Sequence, residues 1–245
     1  MRRALAIARR DLRAAFGAPL AWLLLFAWLL ITGVLLSFTI SALSAAQSTG
    51  GIAREPLYVG GFTWGSLVLP LLAPAVTMGA FAGERAGGTW PLLITAPLSD
   101  LQLVVGKFLA TTGLLTAVVS GALVQPLLLA AITSIDPAQL AAGWLGLLLL
   151  VALLAALGTW ISAAVDQPLV AFVLTFAVIM ALFLCSTLAQ VPGLEPLGRF
   201  LGLLPRLEPF LAGDVRAGGV AWFVGGTVAC LAFAHGTLGQ RRKAG

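Results

Sequence analysis

The stretch LAAGWLGLLLLVALLAALGTWISA, Leu140 to Ala163, decides the fold: 24 residues without one Asp, Glu, Lys or Arg. About 20 apolar residues in a helix cross the hydrocarbon core of a bilayer. Trp144 and Trp160 stand near its two ends, about 24 Å apart at 1.5 Å per residue, which suits indoles at the two membrane interfaces. Five more windows share its character: Leu20–Leu43, Val59–Ala82, Phe108–Thr133, Pro168–Gln190 and Gly219–Ala234, the last span running on to about residue 238. The apolar run of the first window exceeds the 7–15-residue core of a signal peptide, so it reads as a retained span. The expected architecture is an all-α membrane protein of six transmembrane helices.

Composition agrees. The 245 residues are 60% hydrophobic and 9% charged, whereas soluble domains carry about 25% charged residues. Two cysteines and one histidine supply neither a disulfide framework nor a Cys/His metal cluster, and Cys185 and Cys230 lie in apolar runs as small hydrophobes. The net charge of +5 gathers at the termini, where it signals orientation rather than nucleic-acid binding.

Local signals place the helix starts. Ser99-Asp100-Leu101-Gln102 is a capping box that starts a helix at about Leu101. Asp136-Pro137 offers an N-cap followed by proline in the first turn, with Gln139 three residues on, and Pro168 opens the fifth span in the same way. Six spans bring both termini to one side. That side holds ten Lys and Arg residues (Arg2, Arg3, Arg9, Arg10, Arg13, Arg85, Lys107, Arg241, Arg242, Lys243) against four on the other (Arg54, Arg199, Arg206, Arg216). The bias puts both termini in the cytoplasm.

Residues 1–18 form a separate unit, and 19–245 the six-helix domain with spans at about 20–43, 59–82, 108–133, 140–163, 168–190 and 219–238. In the first unit Leu5, Ala8, Leu12, Ala15 and Phe16 fall on one stripe at about 100° per residue, with Arg2, Arg3, Arg9, Arg10 and Arg13 opposite. Gly17-Ala18-Pro19 ends the helix. The pattern predicts an amphipathic interfacial helix on the cytoplasmic leaflet, its arginines toward anionic headgroups of the lipid bilayer. Beyond the fifth span, Leu197, Phe200, Leu201 and Leu204 repeat at i, i+3, i+4 and i+7 after Glu195-Pro196, which predicts a short helix on the outer surface within the 191–218 loop. Gly79-x-x-x-Gly83-x-x-x-Gly87 and Gly61-x-x-x-Gly65 suit close helix packing in span two, within the chain or across a dimer.

The loop between spans two and three carries the most information. Thr89 caps a short helix, Pro91 is tolerated in its first turn and Pro97 ends it. Two turns are too short to be stable alone, so the helix needs a surface to dock against. Glu84-Arg85, Gly88-Thr89, Leu92-Leu93, Ala96-Pro97, Ser99-Asp100 and Gly106-Lys107 together resemble the loop of ABC-2 type permeases, the membrane subunits of ATP-binding-cassette exporters. Leu203-Leu204-Pro205-Arg206-Leu207-Glu208-Pro209-Phe210, then Gly213-Asp214-Val215 and a last span ending in Arg241-Arg242, are similar to the branch with the gliding-motility-associated and nitrous-oxide-reductase-maturation permeases. Trp90-Pro91 departs from the polar or acidic residues usual at that place.

The resemblance implies a permease of the bacterial inner membrane, a homodimer or heterodimer driven by two copies of a separate ATPase. That partner, not this chain, binds ATP; the chain itself carries no cofactor, no metal and no catalytic site. The implied docking segment is the 83–107 loop: Glu84 and Arg85 as polar contacts at the end of span two, Gly88 beside Thr89, Leu92 and Leu93 as the docked helix closed by Pro97, and Gly106-Lys107 leading into span three.

Other classes find less support. No His-Glu-x-x-His motif is present, His235 is the sole histidine, and paired intramembrane carboxylates are missing, which leaves a membrane-embedded enzyme without its acid and base. A secondary transporter usually keeps ionisable residues within its spans, and here the windows offer Thr77, Ser120, Gln125, Ser162 and Thr175. No Gly-x-x-x-x-Gly-Lys-Ser/Thr loop is present to bind ATP. A secondary transporter or a membrane-embedded scaffold without an ATPase stands as the alternative. Substrate is open among lipids, lipid-linked glycans, hydrophobic compounds and a mechanical signal.

Overall fold

A computed structural model of the chain describes residues 2–48, 57–91, 98–129 and 136–244. Among these there is no strand, and six helical segments are long and apolar enough to cross a membrane. We number the helices α1 (Arg2–Gly17), α2 (Pro19–Ser48), α3 (Leu57–Thr77), α4 (Asp100–Val119), α5 (Val124–Leu129), α6 (Pro137–Ala164), α7 (Pro168–Cys185), α8 (Glu195–Leu201), α9 (Leu204–Leu211) and α10 (Ala217–Ala244). α1 and the end of α10 lie at one end of the bundle, called here the terminal end.

The hub is α6. Its start is fixed by Asp136, whose side chain accepts from the Ala138 N–H at 2.9 Å, with Pro137 in the first turn. Gln139 does not turn back to complete a capping box there. Its amide reaches the Leu211 carbonyl at 3.1 Å and ties α9 to the hub. Leu147, Leu150, Val151 and Leu154 are fully buried and meet Phe62 and Leu69 of α3, Leu115 of α4, Ile179 of α7, Phe210 of α9 and Phe223 of α10. In lipid an apolar face gains little by leaving its surroundings, so approach depends on small residues and van der Waals contact. At Gly158 a Cβ would sit 2.0 Å from Thr77 Oγ1, and at Gly143 3.1 Å from the Phe62 ring. These two glycines hold α3 against α6.

The third span starts as its capping box predicts. The Ser99 hydroxyl accepts from the Gln102 N–H at 3.3 Å while the Ser99 N–H donates to the Gln102 side chain at 3.4 Å, so the capping box forms. The helix that it starts is continuous from Asp100 and carries Lys107 just ahead of the charge-free window. A 3-10 turn, Ser120–Leu123, then separates α4 from α5.

The glycines of span two divide. Gly61 and Gly65 pack within the chain, against Gln125 and the Trp28 ring, whereas nothing lies within 4 Å of a Cβ built on Gly79 or Gly83. The loop after α7 also differs from the expected surface helix. It folds as two helices broken at Gly202, where a Cβ would lie 2.4 Å from the Gly198 carbonyl oxygen. Leu197 and Phe200 stay exposed, but Leu203, just before the second helix, and Leu207 and Phe210 on it enter the core. There Gly146 admits Phe210, whose Cβ stands 2.6 Å from the position of a Cβ on that glycine. The i, i+3, i+4 pattern foresaw one helix, and Gly202 turns the second one inward.

Candidate functional site

At the terminal end, span two does not stop as a plain α-helix. Pro70 and Pro74 lie inside α3 and withhold two backbone donors. A π-helical turn, Gly79–Gly83, follows. One extra residue in a turn leaves amides without regular partners, and Ser162 of α6 supplies them. Its Oγ accepts from the Phe81 and Ala82 N–H groups at 3.0 and 3.1 Å and donates to the Met78 carbonyl at 3.1 Å.

After the single α-turn Glu84–Ala86 the chain reverses. The Thr89 N–H donates to the Glu84 carbonyl at 3.0 Å and the Gly88 N–H to the Arg85 carbonyl at 3.1 Å. This paired closure is the Schellman motif, and it requires a left-handed residue. Gly88, at φ +70°, supplies it. The Thr89 hydroxyl points back at the Glu84 carboxylate, and a helix begins at Trp90–Pro91. Leu92, Leu93 and Pro97 lie outside the described residues.

Glu84 and Arg85 face different neighbours. Lys107 Nζ lies 2.7 Å from the Glu84 carboxylate and 2.9 Å from that of Asp11, and its side chain is 5% exposed. Arg10 adds a looser contact, 3.7 Å to Glu84, and its Nε donates to Asp11 at 3.0 Å. Two carboxylates and two cations thus balance. The Arg85 guanidinium instead donates to the Val165 carbonyl at 2.6 Å and the Ala163 carbonyl at 2.9 Å, with Asp166 at 3.5 Å. It caps the carbonyl end of α6, where a cation also complements the helix dipole. Arg241 of α10 reaches the same Asp166 and the Ala164 carbonyl. Trp90 stands with its ring 4.7 Å from the Arg85 guanidinium carbon and edge-on to Phe81. The tryptophan that departs from the family pattern therefore stacks on the capping arginine.

Residues 4–15 of α1 run alongside α4. Gly106 is the contact that permits it: a Cβ there would meet Ile7 at 3.0 Å and the Ala4 carbonyl at 3.1 Å, and Gly113 is filled in the same way by Leu12. The buried or half-buried face comprises Ala4, Ile7, Ala8, Asp11, Leu12 and Ala15. It is turned about 60° from the apolar stripe of the sequence, at 100° per residue. Leu5 and Phe16 stay exposed, and the turn brings Asp11 inward to Lys107. Between α1, the π-helical turn and α4 a pocket of about 260 Å³ opens, with Asp11, Glu84, Lys107 and Thr111 at its polar side and Gly79 and Leu114 among its apolar walls.

The structure thus brings Glu84, Arg85, Gly88, Thr89, Gly106 and Lys107 together around one turn. Of the N-terminal arginines Arg10 joins them; Arg2, Arg3, Arg9 and Arg13, like Arg10 itself, are exposed. Asp11, Ser162, Asp166 and Arg241 belong to the same assembly, and the sequence pattern did not assign them to the loop. Asp11 had a signal: it is the sole acidic residue before Glu55. Ser162 had none.

Comparison with known proteins bears on the family. Residues 5–211 match the model of the family described as ABC-2 family transporter protein. A probable ABC transporter permease protein, NosY, of Pseudomonas aeruginosa is 38% identical over 105 residues, which make up 42% of this chain and 36% of that protein. The matched stretch spans about a third of that relative's length.

Proposed function

The chain belongs to the ABC-2 transporter family, and from that premise we propose that it is the permease of an ATP-binding-cassette exporter in a bacterial inner membrane. Both termini face the cytoplasm on this reading, which rests on the ten-to-four bias of Lys and Arg. A separate ATPase, two copies per permease dimer, docks on the 83–107 loop and supplies the energy.

One observation carries the proposal: the root of this loop is fixed to four other elements while Gly87, Gly88 and Thr89 stay exposed. Glu84 reaches α1 and α4 through Lys107 and Asp11, and Arg85 reaches α6 directly and α10 through Asp166. A solvated turn needs no such anchoring. A loop that receives force does, because a displacement at Trp90 must move spans rather than bend a hinge.

The proposal predicts co-purification with an ATPase of the ATP-binding-cassette class. It also predicts that Glu84→Lys, which sets three cations around one carboxylate, leaves ATP hydrolysis in the complex but abolishes transport in proteoliposomes. Transport down a proton gradient by the permease alone would overturn it in favour of a secondary transporter.

A further inference from the structure

Apart from Leu12, which fills Gly113, the outward side of α1 is not used by any contact described above. At about 100° per residue the protein-facing positions Ala4, Ile7, Asp11 and Ala15 are followed by an apolar edge, Leu12, Leu5 and Phe16, and then by Arg9, Arg2 and Arg13 within about 40° of one another. Among the described residues no carboxylate lies within ion-pair distance of Arg2, Arg9 or Arg13. With Leu5, Ala6 and Arg10 these arginines line an open concavity of about 630 Å³. At the end of the helix Trp22 Nε1 donates to the Phe16 carbonyl at 3.1 Å and the two rings meet edge to face, an arrangement suited to the polar boundary of a bilayer.

Protein, then acyl surface, then unpaired guanidinium is the order met by a helix wedged between a bundle and anionic headgroups. Arg10 belongs to both sides. It lines the concavity, its side chain is 60% exposed, and its contact with Glu84 is the loosest of the network at 3.7 Å.

We propose that the outward face of α1 binds the phosphate of an anionic phospholipid through Arg2, Arg9 and Arg13, and that the bound phosphate draws Arg10 from Glu84, loosening the tie between α1 and the loop. The lipid composition then sets how stiffly the loop is held. The binding half rests on the spans alone, and only its link to transport rests on the function proposed above. The test uses no ATPase, so the two fail separately.

The full chain in nanodiscs of phosphatidylcholine, with and without phosphatidylglycerol, supplies the test. Native mass spectrometry should show phosphatidylglycerol retained by the wild type and by Arg9→Lys/Arg13→Lys, and about 25-fold less by Arg9→Gln/Arg13→Gln, at about fivefold per surface arginine. Both arginines are exposed, so the fold is not at stake. In the wild type phosphatidylglycerol should speed hydrogen exchange at the Gly87, Gly88 and Thr89 amides severalfold, and the Gln variant should not respond. Equal retention by the Gln variant overturns the site, and unchanged exchange in the wild type overturns the release of Arg10. If inorganic phosphate added to phosphatidylcholine discs reproduces the exchange effect, the ligand is a free anion and the lipid assignment falls.

Discussion

The two ends of the bundle are held by different chemistry. At the far end α9 enters between the spans through Leu203, Leu207 and Phe210, and the fixing contact is a side chain seated on a glycine, Phe210 on Gly146. At the terminal end charge and hydrogen bonds are added to the packing of Ile7, Phe81 and Val104: Lys107 between two carboxylates, Arg85 and Arg241 on the last carbonyls of α6, Ser162 in the π-helical turn. Packing contacts fade within an ångström of separation. Hydrogen-bonded charges tolerate small movements and exchange partners, so the terminal end is the one suited to move and to pass movement on.

Substitutions separate the two ends, and the largest effect belongs to the far end. Phe210→Ala should cost about 3–5 kcal/mol of stability, the range for truncating a buried aromatic ring, read as a lower unfolding midpoint in detergent. It should leave ATPase coupling per folded molecule unchanged. A coupling defect of the same size would mean that the two ends are not separable.

Lys107→Met should cost about 3 kcal/mol, because two partly buried carboxylates lose their shared cation. Here coupling should fail along with stability. Adding Asp11→Asn should recover part of the stability, since one of the stranded charges is removed. If the double variant is as unstable as the sum of the single ones, the Asp11–Lys107 contact is not what holds α1.

Ser162→Ala is the smallest change, at about 1–3 kcal/mol for buried amides left unpaired. It tests whether the π-helical turn depends on α6. Slower exchange of the Phe81 and Ala82 amides in the variant would mean that the turn relaxes to an α-helix without the serine. Faster exchange would confirm that Ser162 satisfies them.

The six spans were legible because lipid imposes a simple rule: the backbone must bond to itself over about 20 residues, and nothing charged fits between. The capping box at Ser99 and the Asp136-Pro137 start were legible for a similar reason, since each is satisfied within one helical turn. The relative burial of the spans was not. α6 and α7 are both charge-free and apolar, yet α6 is packed on nearly all sides while α7 buries Ala171, Thr175 and Ile179 and turns Leu169, Val173 and Leu184 outward. Hydrophobicity cannot distinguish a protein interior from lipid. The face that α1 turns to the bundle was hidden for a related reason. The sequence pattern marks Leu5 and Phe16 as the apolar stripe, but the neighbour along α4 is a line of small residues, Gly106, Ala110 and Gly113, and it takes Ala4, Ile7 and Ala8.

At the loop, the sequence by itself determined the turn: Gly88 for its left-handed residue, Thr89 for its closure, Glu84 and Lys107 as the charges near it. Tertiary structure decided the partners. Asp11 lies 96 positions from Lys107, and Ser162 lies 81 from Phe81. Contacts at such separations leave no local pattern, because what specifies them is the shape of two helix surfaces that meet only when the bundle is complete. The sequence alone therefore fixed which residues must cross the membrane, and the packing of α1, α4 and α6 fixed which charges the loop is tied to.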